Sequence, residues 1–256
     1  MKVNKLKRKT IVKAIVETLQ PLGFVQAVWE GGAAAFNRID EWSDIDIMVA
    51  ANDDAVDKVF QYTEKILKKL SGIEIVCEMP LASSGGFYQK FYKLKNTDKF
   101  LLIDFAIAKI SKPDKFLQKE IHGKALVHFD KNNIVQCKPI KPEDFNRQLK
   151  TYLDTLKIKF ELFHNVFFLK EINRKNYIEA LDFYMNFMLS YLLIALRIKY
   201  APFHYNFRVK YIYYDLPKDI VKKLEKLHFV KDVNDLKAKH KVVKKWFYST
   251  VKDLNL

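Results

Sequence analysis

The chain has 256 residues, 45 of them Lys or Arg and 30 Asp or Glu, for a formal charge of +15. At 49% hydrophobic and 14% aromatic it has the side chains for a core, which excludes the disordered class, where high charge goes with few aromatics. The longest strongly apolar run, Phe187 to Leu196, is ten residues against the roughly 20 of a membrane-spanning helix, so no span is expected. The basic start has neither a continuous apolar stretch nor a small-residue cleavage site, so a cytoplasmic protein is expected. Cys77 and Cys137 sit in apolar, strand-like contexts without metal-ligand spacing and are expected to be core thiols.

In chain order, Leu6 to Leu19 carries apolar residues at helical period and is closed by Pro21 and Gly23. Phe24 to Trp29 reads as a strand, Gly31-Gly32 as a break, Ala33 to Arg38 as a short helix and Asp44 to Ala50 as a second strand. A helix over Asp54 to Leu70 and a strand over Ile73 to Met79 follow, then a loop at Ser83 to Gly86. Phe87 to Leu94 and Lys99 to Ile110 form a hairpin about Asn96-Thr97-Asp98. Beyond a short helix after Pro113, Ala125 to Asp130 and Ile134 to Lys138 read as strands. Composition shifts at Pro139 and Pro142, and the rest is helical, with long helices over Gln148 to Phe168 and Tyr177 to Ile198 and further ones over Lys218 to Leu227 and Val233 to Val251. The expected fold class is α+β: an N-terminal mixed β-sheet flanked by helices over residues 1–140, then a C-terminal α-helical bundle over 141–256.

Most lysines are dispersed at helical spacing, which favours a solvated exterior over a nucleic-acid surface as the reason for the charge. The chemistry concentrates elsewhere. Trp29-Glu30-Gly31-Gly32 is followed, after eleven residues, by Asp44-Ile45-Asp46-Ile47-Met48-Val49. In a strand, residues two apart share a face, so Asp44 and Asp46 project together while Ile45, Ile47 and Val49 face the core. Unit charges 4 Å apart repel by about 4 kcal/mol at an effective dielectric near 20, and a divalent cation relieves that. Oxygen-only ligands favour Mg²⁺ or Mn²⁺. Asp104 is the lone acid of the strand Leu101 to Ile107, on the face opposite Ile103, Phe105 and Ile107, beside the small Ala106 and Ala108. Buried unpaired it would be expensive, so it is expected to meet a cation or solvent. The diglycine sits where a strand ends and a helix begins, a place suited to phosphate, and Ser43 offers a nearby hydroxyl.

On these residues the sequence resembles the polymerase-beta-like nucleotidyltransferase superfamily, whose pattern is a hydrophobic residue, Gly, then Gly or Ser, a spacer and an acidic-hydrophobic-acidic strand. Gly31, Gly32, Asp44 and Asp46 match that pattern and Asp104 matches its third acid. The resemblance covers about residues 10–138, and Phe36 stands where many members have a second glycine. The two-domain layout is similar to that of antibiotic nucleotidyltransferases. The resemblance implies transfer of a nucleoside monophosphate from a triphosphate, ATP by preference, to a hydroxyl, with release of pyrophosphate. It assigns Mg²⁺ (or Mn²⁺) to Asp44, Asp46 and Asp104, leaving Asp104 as metal ligand or base, and gives Gly31, Gly32 and Ser43 to the nucleotide. A small-molecule acceptor is favoured over RNA or protein, on a helical acceptor-binding domain, with no membrane partner.

In that second domain, the stretch Arg197 to Tyr211 mixes cations and rings. Arg197, His204, Asn206, Arg208 and Lys210 are its candidates for contacting acceptor or triphosphate. Arg197 and His204 also have the loose Arg-x4-6-His spacing that resembles HEPN-domain ribonucleases, so an alternative is a transferase-like component joined to an RNase or toxin-antitoxin function. A non-catalytic nucleic-acid-binding module is a further alternative, which binding steeply weakened by salt and indifferent to Mg²⁺ would mark. His122 and His128 read as surface or packing histidines.

Overall fold

The computed structural model describes residues 5–81, 86–136 and 139–254. The chain divides into two compact units, Met1–Pro139 and Ile140–Leu256. The first runs α1 (Arg8–Leu19), β1 (Val25–Glu30), α2 (Gly32–Ala35), β2 (Ile45–Ala51), α3 (Val56–Leu70), β3 (Ile73–Met79), β4 (Tyr88–Leu94), β5 (Ile103–Lys109), α4 (Lys119–His122) and β6 (Leu126–Asp130). Its strands form one mixed sheet in the order β3-β4-β5-β2-β1-β6, with β2 and β5 parallel and the other pairs antiparallel.

Period-two alternation sorts the sheet into two faces. Ile45, Ile47 and Val49 of β2 and Ile103, Phe105 and Ile107 of β5 join Val28 of β1 in a core closed by α1 and α3. Those helices supply Ile11, Ile15 and Leu19, and Val56, Val59, Phe60 and Leu67, at the spacings that make one helical stripe. A bulge between Val25 and Ala27 returns Val25 to the same core. On the other face, Ala27, Trp29 and Ala50 pack with Met48, Leu117 and Ile134, while Phe87 covers Ala106 and Ala108. The covered region thus follows the later residues of β2 and β5, and the earlier ones, Asp46 and Asp104, remain partly exposed.

Two local expectations are corrected. Cys77 is exposed, because β3 is an edge strand with little packed on either side: Ile75 and Val76 beside it are 59% and 48% exposed. Cys137 lies outside the described residues. Ile134 to Gln136 is not a strand; the Ile134 and Val135 amides instead donate to the Asp130 carboxylate at 2.9 and 2.8 Å, turning the chain onto Trp29.

The second unit is helical. α5 (Pro142–Leu162) starts on a proline, whose missing N–H is harmless in a first turn, with Glu143 and Asp144 complementing the helix dipole. It continues through a π-helical turn, Phe163–Phe168, into α6 (Leu169–Arg174), and the left-handed Lys175 ends it. The next helix runs through α7 (Tyr177–Phe183), a second π-turn (Tyr184–Leu189) and α8 (Ser190–Tyr200). The two π-turns meet through Phe163 and Phe187, stacked with centroids 4.0 Å apart. By length and composition Tyr177–Tyr200 is long and apolar enough to cross a membrane, more than the unbroken apolar run suggested. Here it is the central core helix, with Tyr184, Met188, Leu192 and Ala195 fully buried against α5, α10 (Lys218–His228) and α11 (Val233–Lys252). Between them lie a 3-10 turn, Pro202–His204, and α9 (Ile212–Asp215).

Candidate active site

The parallel register of β2 and β5 sets Asp46 directly opposite Asp104. Each is the one acid of a largely apolar strand and both project from the face away from α1 and α3, as the alternation requires. Gln89 of β4 donates to Asp104 Oδ1 at 2.6 Å and so orients that carboxylate from the next strand. Sequence reading missed Gln89, because strand pairing alone puts it there.

The diglycine turn is built around Asp46. Gly32 has φ +50°, and a Cβ added there would lie 2.0 Å from Asp46 Oδ2. Glycine is therefore needed twice over, for a left-handed backbone and for the close approach of a carboxylate. The Gly31 amide donates to the Asp46 carbonyl at 3.0 Å, so this donor, expected to meet phosphate, is taken by the strand. α2 is clamped from the far side: Gly123, at φ +78°, admits the Ala35 carbonyl to within 2.7 Å of where its own Cβ would stand, and the Lys124 amide donates to that carbonyl at 2.9 Å.

Asp44 precedes β2 and is exposed. Partial withdrawal from water pushes its carboxyl above the ordinary aspartate value, opposed by the Leu102 amide and the charge of Arg8. Arg8 also hydrogen-bonds the Asp44 carbonyl and pairs with Glu30, a residue 4% exposed. Glu30 Oε1 meets His128 Nε2 at 3.0 Å. Burial would raise the Glu30 carboxyl, but the His128 hydrogen bond and Arg8 outweigh it and hold the group below its ordinary value. His128, expected to be an ordinary surface or packing histidine, thus belongs to a network fixing the start of α1 to the end of β1 and the entry to β2. Ser43 is committed to a turn: its hydroxyl donates to Asp40 Oδ1 at 2.6 Å and accepts from the Asp40 amide at 2.9 Å.

Among the described residues, no group of three or more His, Cys, Asp and Glu side chains is gathered closely enough to hold a metal ion. Asp44, Asp46 and Asp104 are therefore not a ready-made three-acid cage. Asp46 and Asp104, adjacent in register and offering oxygen only, fit the partial donor set typical of Mg²⁺, which takes one or two carboxylates and completes its shell with water and substrate phosphates.

The residues expected in the helical unit separate. Arg197 is fully buried: its guanidinium pairs with Asp215 Oδ2 at 2.7 Å, donates to the Arg208 carbonyl at 2.8 Å and hydrogen-bonds the Lys210 carbonyl. His204, 8% exposed, meets the same Asp215 oxygen at 2.8 Å and stacks on Phe207. This pair anchors the loop after α8, so Arg197 is not available to triphosphate or acceptor and has no reach to an RNA phosphate. Asn206, Arg208 and Lys210 are exposed on that loop.

No family model matches this sequence, and no curated protein matches it. Among solved structures the chain is similar to an aminoglycoside 6-adenyltransferase from Bacillus subtilis, with a TM-score of 0.36 and 12% identity, over 96% of this chain and 89% of that one.

Proposed function

We propose that this protein is a metal-dependent nucleotidyltransferase that moves a nucleoside monophosphate, AMP by preference, from a nucleoside triphosphate to a hydroxyl acceptor and releases pyrophosphate. The observation that carries it is the Asp46 carboxylate seated against Gly32 and in register with Asp104, on the sheet face that its neighbours leave partly open. Two carboxylates in register on neighbouring strands supply the one or two acidic oxygen ligands that Mg²⁺ takes beside substrate phosphates. Asp46 and Asp104 would hold Mg²⁺, which when bound neutralises triphosphate oxygens as charge builds on them. Asp104, oriented by Gln89, stands as metal ligand or as base for the acceptor hydroxyl. The Gly31-Gly32 turn keeps its backbone close to Asp46 and so brings phosphate and carboxylate sites together. The exposed Asn206, Arg208 and Lys210 are retained as acceptor contacts, with a small-molecule acceptor favoured.

The test is release of pyrophosphate from each nucleoside triphosphate in turn, with Mg²⁺ and a panel of hydroxyl acceptors. Asp46→Asn and Asp104→Asn should each cut transfer at least about 100-fold, and transfer at the parent rate in both would end this reading.

A further inference from the structure

A cleft of ≈ 520 Å³ lies on the α1 side of the sheet, away from Asp46 and Asp104, bounded by α1, the end of β1 and the edge strand β6. Small-molecule sites typically span roughly 300–1,000 Å³. Val12 and Val16 on one stripe of α1, with Ile39 and Leu126, form its apolar lining, and the last two are each 48% exposed. Half-wet apolar side chains gain about 25 cal/mol for each Å² that a ligand covers.

The rim is charged and its balance is uneven. Arg8, Lys9 and Lys13 stand against Glu17 and Glu30. Arg8 closes on Glu30 and Lys13 on Glu17 at 3.7 Å, so of these three rim cations Lys9 is the one with no ion pair to an acid among the described residues. The walls are set in advance, because Arg8 is held by both Glu30 and the Asp44 carbonyl, and Glu30 by His128. A surplus of one positive charge beside an apolar lining is complementary to a single negative charge on an apolar body. A polyanion such as a triphosphate would meet Glu17 and Glu30 with one uncommitted cation to offset them.

We propose that this cleft binds one small organic monoanion, a carboxylate or sulfonate on an apolar body, with its charge at Lys9 and its body over Val12, Val16, Ile39 and Leu126. This is independent of the transferase reading. The test is fluorescence titration of the full chain with anilinonaphthalene sulfonate. Saturation at one equivalent is expected, with displacement by decanoate and none by inorganic phosphate. Lys9→Glu and the cleft-filling Val16→Trp should each weaken binding about tenfold or more, while Lys65→Glu, exposed on α3 outside the cleft, should leave it unchanged. Thermal midpoints measured alongside report folding; where Val16→Trp perturbs the helix, the surface change Lys9→Glu decides alone. Equal binding in Lys9→Glu, equal binding of uncharged anilinonaphthalene, or displacement by phosphate would overturn the assignment.

Discussion

The two units arrange their acidic groups differently. In the helical unit each inward charge closes on a partner: Arg197 and His204 share Asp215, and Glu171, 1% exposed, collects Arg174 and Asn176. On the sheet, strand register sets Asp46 opposite Asp104, and Gln89 donates to Asp104. Charges that answer each other hold a fold together, because breaking such a pair leaves an unpaired buried charge. Two carboxylates set in register on neighbouring strands instead offer a shared set of oxygen donors, which suits a ligand of opposite sign.

That contrast can be broken most directly by activity. Asp46→Asn and Asp104→Asn should lose transfer while their thermal midpoints stay close to the parent's, since each change keeps the side chain's size and removes only its charge. Chelation of divalent ions should likewise stop transfer without moving the midpoint, and a fall in midpoint on chelation would make the acids a structural site instead. In the helical unit the order reverses: Asp215→Ala strands the fully buried Arg197 and should cost about 3–5 kcal/mol in denaturant unfolding.

Next in size is a pH effect confined to the helical unit. His164 and His240, 2% and 6% exposed, meet at 2.5 Å between Nδ1 and Nε2, and His240 stacks on Phe168. Burial depresses both, reinforced for His240 by His164 and for each by Lys244, so both stay neutral in the folded state. The unfolded chain then binds more protons below the ordinary value of 6.5, and stability should fall as pH drops from there, on the order of 2 kcal/mol. His240→Phe should flatten that slope in urea titrations run between pH 7 and about 4.

Gly32→Ala should cost about 1–3 kcal/mol through a left-handed backbone and displacement of Asp46, and should depress transfer more than Gly31→Ala, where an added Cβ meets nothing within 4 Å. Glu30→Gln should cost about 1–2 kcal/mol near neutrality. Because the Glu30 carboxyl is held below its ordinary 4.5, its contribution is present above that value and lost as pH falls through the folded one; parent and variant should converge there. Smallest, Thr63→Val removes a fully buried hydroxyl without a hydrogen-bond partner and should raise stability by about 1 kcal/mol.

Much of this was legible in the chain itself. The apolar alternation of Ile45, Ile47 and Val49 and of Ile103, Phe105 and Ile107 dictates which way Asp46 and Asp104 project, since side chains in a strand alternate whatever surrounds them. The helical stripes of α1 and α3 and the hairpin about Thr97 are local in the same sense. Cys77 was misplaced because an apolar strand reads the same at an edge as in the centre, and only the strand order β3-β4 at the sheet's end exposes it. Arg197 was misread because a cation before an aromatic loop looks alike whether it reaches a ligand or three protein oxygens.

The sequence by itself determined most of the elements, their faces and the pairing of two glycines with an acidic strand, because these depend on periodicity and spacing within short stretches. Only the tertiary structure decided that Asp46 stands against Gly32 and opposite Asp104, that Arg8, Glu30 and His128 form one network, and that Arg197 belongs to the core. Each of those is a contact between residues far apart in the chain, and which strand lies beside which is settled by the packing of the whole sheet.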